Sequence, residues 1–427
     1  MSYQLDHEPE ADTWVYTWPD FGVGVGIEQI VDRRDGLWCE ITIQQLAAGE
    51  ALHLHGPVRL NLVSTTGHDS LMKHLASKTN GAVPWGEVIE IACARTAKEY
   101  RKGAPPIVLA DVVVPRGGLP YMIWPMLPLN ETTLLFGAYK SLKSTLALAL
   151  GVYAAQGIAL PFMRKPDVPA TVIYCDWESE PDEHAEHLEF ICRGLSIPKP
   201  RNIYYVKMYR GIREDRSRLK EMRRDLKANL MIYDSLAGAC ADDMKEQSVA
   251  TSTIGAMRDI GGTRLMIGHK NREEMEKKEG PSHVFGSVFF DAYARSIWEI
   301  EAGRNVSPEG KDPARIIGLF HRNVNRGMLI EHPLMLGVSW WTEEGAIKFI
   351  PASTEDDRAV AGHATLDFRI REALSRGGRT ALQIAEVLGD ESAGKVKSIS
   401  TTLSEMHGVI RLRGGTKGDP TVWGLTG

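Results

Sequence analysis

The feature that most narrows the folds open to this chain is the stretch from Glu131 to Gln156, ETTLLFGAYKSLKSTLALALGVYAAQ. Thr133 to Phe136 is apolar and of strand length, Gly137 opens a turn, and from Ser144 onward good helix formers follow without a break. A strand, a tight loop and a helix in that order, with Lys143 and Ser144 at the junction, read as a phosphate-binding loop. Backbone N–H groups of the loop and the helix N-terminus point at a β-phosphate, Lys143 reaches the β- and γ-phosphates, and the Ser144 hydroxyl ligates Mg²⁺. The binding segment is thus Gly137, Ala138, Tyr139, Lys140, Ser141, Leu142, Lys143, Ser144 and Thr145. Leu142 stands where the usual pattern has Gly, so it is expected to lose conformational freedom and to crowd the phosphates. The alternative reading is an ordinary strand-to-helix turn that happens to hold Lys-Ser.

A chain of 427 residues is too long for one core and is expected to split into two or three domains. With 43% hydrophobic and 25% charged residues it has the composition of a soluble protein, and no apolar run reaches membrane-spanning length. The acidic, polar start lacks a signal-peptide core, so a cytoplasmic location without a membrane partner is expected. Five scattered cysteines, none in a C-x-x-C pair, indicate neither a disulfide framework nor a zinc site. A net charge of −5 argues against a generally basic nucleic-acid binder and leaves room for a local basic channel.

In chain order, residues 1–103 read as a small α+β domain. Strand-like text at Trp14–Tyr16, Leu37–Ile43 and Arg59–Val63 precedes helices at Asp69–Ser77 and Trp85–Tyr100. Residues 104–129, rich in proline and glycine, read as a linker, and residues 130–354 as the nucleotide domain. A polar linker at 355–362 leads to a tail, residues 363–427, of three helices and two strands around the Gly-rich loop GGTKGD: a winged helix-turn-helix. Lys395 and Lys397 on its third helix, and Arg411, Arg413 and Lys417 on the wing, could meet phosphates, or the tail could serve protein contacts only.

Within the nucleotide domain, Ala170–Cys175 is a continuous apolar run of the kind buried parallel strands show, and it ends in Asp176-Trp177-Glu178. Acids at the carboxyl end of such a strand lie where α/β sheets do their chemistry, and Glu178 is assigned the proton-accepting role toward attacking water. A second apolar strand, Leu230–Tyr233, ends in Asp234, which would hold the metal's hydration shell across from Ser144. A third ends at His269, placed to sense a γ-phosphate. After Ile316–Phe320 comes HRNVNRG, whose Arg322 and Arg326, on a sheet edge facing outward, either enter a neighbouring subunit's site or are simply solvated.

Taken together, the loop at 137–145, DWE at 176–178, IYDS at 232–235, the strand ending in His269, GSVFFDAYARSIWE at 286–299 and HRNVNRG at 321–327 resemble the RepA-like ATPases. These are RecA-fold P-loop proteins related to hexameric plasmid and phage replicative helicases. The resemblance implies an α/β fold with a mostly parallel sheet, ATP and Mg²⁺ as ligands, and a homo-oligomeric ring, a hexamer, around single-stranded DNA, with duplex DNA at the winged helix. By position it makes Lys143 and Ser144 the phosphate and metal residues, Glu178 the catalytic carboxylate, Asp234 the second metal-site acid and His269 the sensor. Arg322, with Arg326 second, becomes the residue given to the next subunit. The function expected is a DNA helicase or translocase of a plasmid, phage or integrated element; the alternative is an ATP-switched DNA-binding regulator or helicase loader that does not unwind.

Overall fold

The computed structural model describes the chain except residues 1, 9–12, 34, 48–49, 104–105, 114–119, 272–282, 287, 307–313, 326–328, 331, 342–344, 355, 416–419 and 427. It forms two compact units, residues 1–114 with 215–224, and residues 115–214 with 225–427.

In the first unit β1 (Gln4–Glu8), β2 (Thr13–Trp18), β3 (Val23–Arg33), β4 (Gly36–Ala47) and β5 (Glu50–Asn61) pair in chain order, each antiparallel to the next. Period-two alternation turns Trp14, Tyr16 and Trp18 to one face, where they are buried with Val25, Ile27, Ile41 and Ile43. Helices α1 (Thr65–Lys78) and α2 (Trp85–Lys102) close that face with Leu75, Val88, Ile89 and Ala92. The Tyr16 hydroxyl shares a hydrogen bond with Thr96 Oγ1 at 2.9 Å, so that buried polar tip is satisfied.

The second unit opens with a hairpin, β6 (Tyr121–Ile123) and β7 (Leu127–Pro128). Then follow β8 (Thr132–Gly137), α3 (Lys143–Gln156), β9 (Val172–Asp176), α4 (Pro181–Leu195) and β10 (Ile203–Lys207); after α5 (Arg216–Asp225), which belongs to the first unit but for its last residue, the second unit resumes with β11 (Leu230–Asp234), α6 (Leu236–Cys240), α7 (Gln247–Ile260) and β12 (Thr263–His269). Next come α8 (Val288–Tyr293), β13 (Ser296–Val306), β14 (Ala314–Val324), β15 (Leu334–Trp341) and β16 (Ala346–Pro351). Among the described residues one sheet runs β10-β9-β11-β12-β8-β13-β14-β15-β16, parallel from β10 to β13 and antiparallel beyond. Strands β8, β9 and β11 are buried along their whole length, which is why they read as unbroken apolar runs. Helix α3 is apolar all round because it too is enclosed, with Leu146 to Leu150 all buried.

Two expected linkers are corrected here. Met122, Ile123, Met126 and Leu127 of the β6–β7 hairpin lie in the main apolar core, so the C-terminal part of the 104–129 segment belongs to the sheet's own packing. The 355–362 stretch holds α9 (Arg358–Ala361), whose Val360 packs with Ile316, Phe320 and Met335. The chain ends with α10 (Leu366–Ser375), β17 (Arg379–Thr380), α11 (Ala381–Leu388), α12 (Ala393–Glu405), β18 (Val409–Arg413) and β19 (Val422–Leu425). The last three strands pair antiparallel in the order β17-β19-β18, over a small core of Ile370, Leu374, Ile384, Ile399, Leu403 and Trp423. Thr380 and Gln383 form a capping box at the start of α11, which fixes the turn between β17 and that helix. All five cysteines are free and buried, and no helix among the described residues is long and apolar enough to cross a membrane.

Candidate active site

The phosphate loop joins β8 to α3 between flanking strands β12 and β13. Gly137 is obligatory there, because a Cβ at that position would lie 2.4 Å from the Ile300 carbonyl oxygen on β13. Lys140 and Leu142 both take positive φ, 58° and 68°, as the loop wraps toward the helix. A leucine in the left-handed region costs roughly 1 kcal/mol. Its side chain, expected to crowd the phosphates, instead packs against the main apolar core, which offsets part of that cost. Arg315 Nη1 donates to the Lys140 carbonyl at 2.7 Å and Ser141 Oγ to the Ala138 carbonyl at 2.8 Å, so the loop is tied from outside and inside.

Lys143 is buried, 6% exposed, with Nζ donating to the carbonyls of Gly137 at 3.1 Å and Ala138 at 2.7 Å. Burial pulls its pKa down to about 8, against the pull of the Asp234 and Glu178 carboxylates. The ammonium, held on the loop's own carbonyls, has Asp234, Glu178 and, more weakly, Glu301 in its field. Asp234, at the carboxyl end of β11, is also buried; burial raises its pKa, while hydrogen bonds from the Tyr174 and Ser144 hydroxyls resist the rise. The Tyr174 bond to Asp234 Oδ2 is 2.7 Å long. A buried carboxylate beside a serine hydroxyl is the hard-oxygen donor set that suits Mg²⁺, and a cation there would relieve the cost of keeping Asp234 ionised.

Glu178 follows β9, next to β11 in the sheet. Its Oε1 accepts a hydrogen bond from the Ser235 hydroxyl and lies 3.8 Å from His269 Nε2. His269 first, then Ser235 and Lys143, hold this carboxyl below its ordinary range against the opposing effect of burial, so it is ionised at neutral pH. The loop that carries it is clasped by Asp176, which is 1% exposed. That carboxylate accepts from the Glu178 N–H at 2.8 Å, from the Ser179 N–H at 3.1 Å and pairs with His184 Nε2 at 2.7 Å. His269 ends β12, and its ring stacks on Tyr139 of the phosphate loop, centroids 4.4 Å apart and 18° between planes.

Lys143, Ser144, Asp234, Glu178 and His269 therefore meet at one end of the parallel strands. Arg322 does not join them, and its expected placement is corrected. Strand β14 is interior, flanked by β13 and β15, and Arg322 Nε is bonded at 2.6 Å to Glu299 Oε2 of its own chain. Arg326 and Lys417 lie outside the described residues. Tyr174, Ser235 and Asp176 were not singled out as site residues by sequence reasoning. Tyr174 lies opposite Ile232 in the β9–β11 register and thus diagonal to Asp234 on the same face, a relation that pairing alone reveals.

The fold and these residues define a P-loop ATPase domain, and residues 104–275 match the family model of the AAA domain. Among solved structures, a KaiC-like protein from the hyperthermophilic archaeon Pyrococcus horikoshii is similar at 11% identity and a TM-score of 0.37, over 56% of this chain and 100% of that one. No curated protein matches the chain.

Proposed function

We propose that the protein is a Mg²⁺-dependent ATPase working as a ring-forming, hexameric DNA helicase or translocase in the replication of a plasmid, phage or integrated mobile element. The observation that carries the chemistry is the meeting of Lys143, Ser144, Asp234 and Glu178 in one charge-coupled group. Lys143 offers its ammonium to the β- and γ-phosphates, and the loop's N–H groups fix their orientation. Ser144 and Asp234 would hold Mg²⁺, which when bound neutralises charge on the phosphates. Glu178, kept ionised by His269 and Ser235, orients the attacking water and takes its proton. His269, stacked on Tyr139 and facing Glu178, links the occupant of the loop to that base.

The DNA part of the reading rests on the motif resemblance and on the C-terminal domain, which we read as a winged helix. Its α12 exposes Lys397, Ser398, Thr401 and Ser404, and β18 exposes Arg411 and Arg413, groups that suit phosphate contacts. With Arg322 committed to Glu299, Arg326 is the arginine proposed for the neighbouring subunit's site. The alternative is an ATP-switched duplex-DNA binder or helicase loader, which the same α12 face would serve.

ATP turnover measured with and without single-stranded DNA, beside a strand-separation assay, tests the reading. Stimulated turnover with unwinding supports a helicase. Negligible turnover with preference for a duplex sequence overturns it in favour of the regulator.

A further inference from the structure

An ion cluster behind the sensor strand takes no part in the steps above. Lys270 follows His269 directly and is 3% exposed. Its Nζ lies 3.0 Å from Glu299 Oε1 and 2.6 Å from Glu301 Oε1, and Glu299, fully buried, also holds Arg322. Burial opposes the charge on Lys270, yet the two carboxylates outweigh it and keep the ammonium above its ordinary range. Such a cluster is a poor source of net stability, since desolvation offsets most of the attraction, but it holds its members in one geometry.

That geometry reaches the site twice. The Lys270 backbone N–H donates to the Gly137 carbonyl at 3.0 Å, the same oxygen that Lys143 Nζ reaches at 3.1 Å. Glu299 and Glu301 flank Ile300, which pairs with Gly137 and whose carbonyl forbids a side chain there. We infer that Lys270 is a positioning residue for hydrolysis: clamped by Glu299 and Glu301, it fixes the chain at the end of β12, and so sets His269 against Glu178 and the Gly137 carbonyl against Lys143. This rests on the ATPase reading. Lys270 itself touches no reacting atom; a displacement of about 1 Å at the end of β12 is enough to cost 10-fold or more in turnover.

The test is a double-mutant cycle on the full chain, with ATP affinity from a fluorescent analogue, kcat and thermal unfolding read for each variant. Lys270→Met is expected to bind ATP within about 3-fold of the parent and to lose about 10-fold or more in kcat. In a His269→Ala background the same substitution should lower kcat by less than about 3-fold, because its effect passes through His269. An equal loss in both backgrounds, or parent-like kcat for Lys270→Met, overturns the inference. If Lys270→Met does not fold, Glu301→Gln loosens the shorter ion pair while leaving Glu299, and the same cycle decides with the same outcomes. A parent without ATP turnover would overturn the ATPase reading and this inference with it; a working parent beside an unaffected Lys270→Met overturns this inference alone.

Discussion

Lys143 is buried at an electrostatic cost that gives the site a pH signature. Held at about 8 by burial, its ammonium is charged at neutral pH and loses its proton as the solution becomes mildly alkaline. ATP affinity is therefore expected to weaken as pH rises through about 8, and Lys143→Met should bind weakly at every pH with that inflection gone. Titrations of a fluorescent ATP analogue between neutral and alkaline pH check this; an unchanged inflection in the variant would move it to another group. The sign for stability is opposite to that of a lysine gaining a partner. The folded pKa lies below the unfolded one, so the penalty is fully present below about 8 and is relieved as pH rises toward the ordinary lysine value. Lys143→Met should thus be more stable than the parent near neutrality, by a margin that shrinks in alkali.

Among the elements, the β8–α3 turn tolerates a departure at Leu142 but none at Gly137. Leu142 pays for its left-handed backbone and regains part of that through core packing, whereas a Cβ at Gly137 meets the backbone of β13 at 2.4 Å, which cannot rotate away. Gly137→Ala should cost about 1–3 kcal/mol by denaturant unfolding and displace the loop enough to abolish ATP binding; parent-like stability would mean β13 yields. The buried strands β8, β9 and β11 were legible because each is enclosed on both faces and ends in a charged or turn residue: Gly137, Asp176 or Asp234. Helices α11 and α12 were read from the sequence of the tail, and each begins at a side-chain cap, Thr380 or Ser392. The β6–β7 hairpin and α9 were not, since proline, glycine and polar neighbours surround the few apolar residues that dock. The Arg322 misplacement came from the same limit, because nothing before β15 and β16 announces that they extend the sheet past β14. Glu178, Asp234 and His269 could be read from strand ends and Lys143 and Ser144 from the loop-to-helix pattern, while Tyr174, Ser235 and the Lys270–Glu299 pair depend on cross-strand neighbours far apart in sequence.

At the scale of the whole molecule, assembly and catalysis make separable demands on the arginines. Because Arg322 is bonded to a fully buried Glu299, Arg322→Ala should strip that carboxylate of one partner and destabilise the isolated chain by about 3 kcal/mol. Mixing it with Lys143→Ala should restore no activity beyond the sum of the two, as expected of a residue acting within its own chain. Recovery on mixing would return Arg322 to the neighbouring subunit's site and require it to leave Glu299 in the assembly. The assignment of this site requires hydrolysis at the meeting point of β8, β9 and β11. Single-turnover hydrolysis of ATP with Mg²⁺ by the parent and by Glu178→Gln, alongside ATP binding by both, probes it most directly. The expected result is unchanged binding with turnover lowered about 10²-fold or more, because an amide can hold a water but cannot take its proton. Parent-rate hydrolysis by Glu178→Gln, or binding lost in step with turnover, would contradict the assignment of this site.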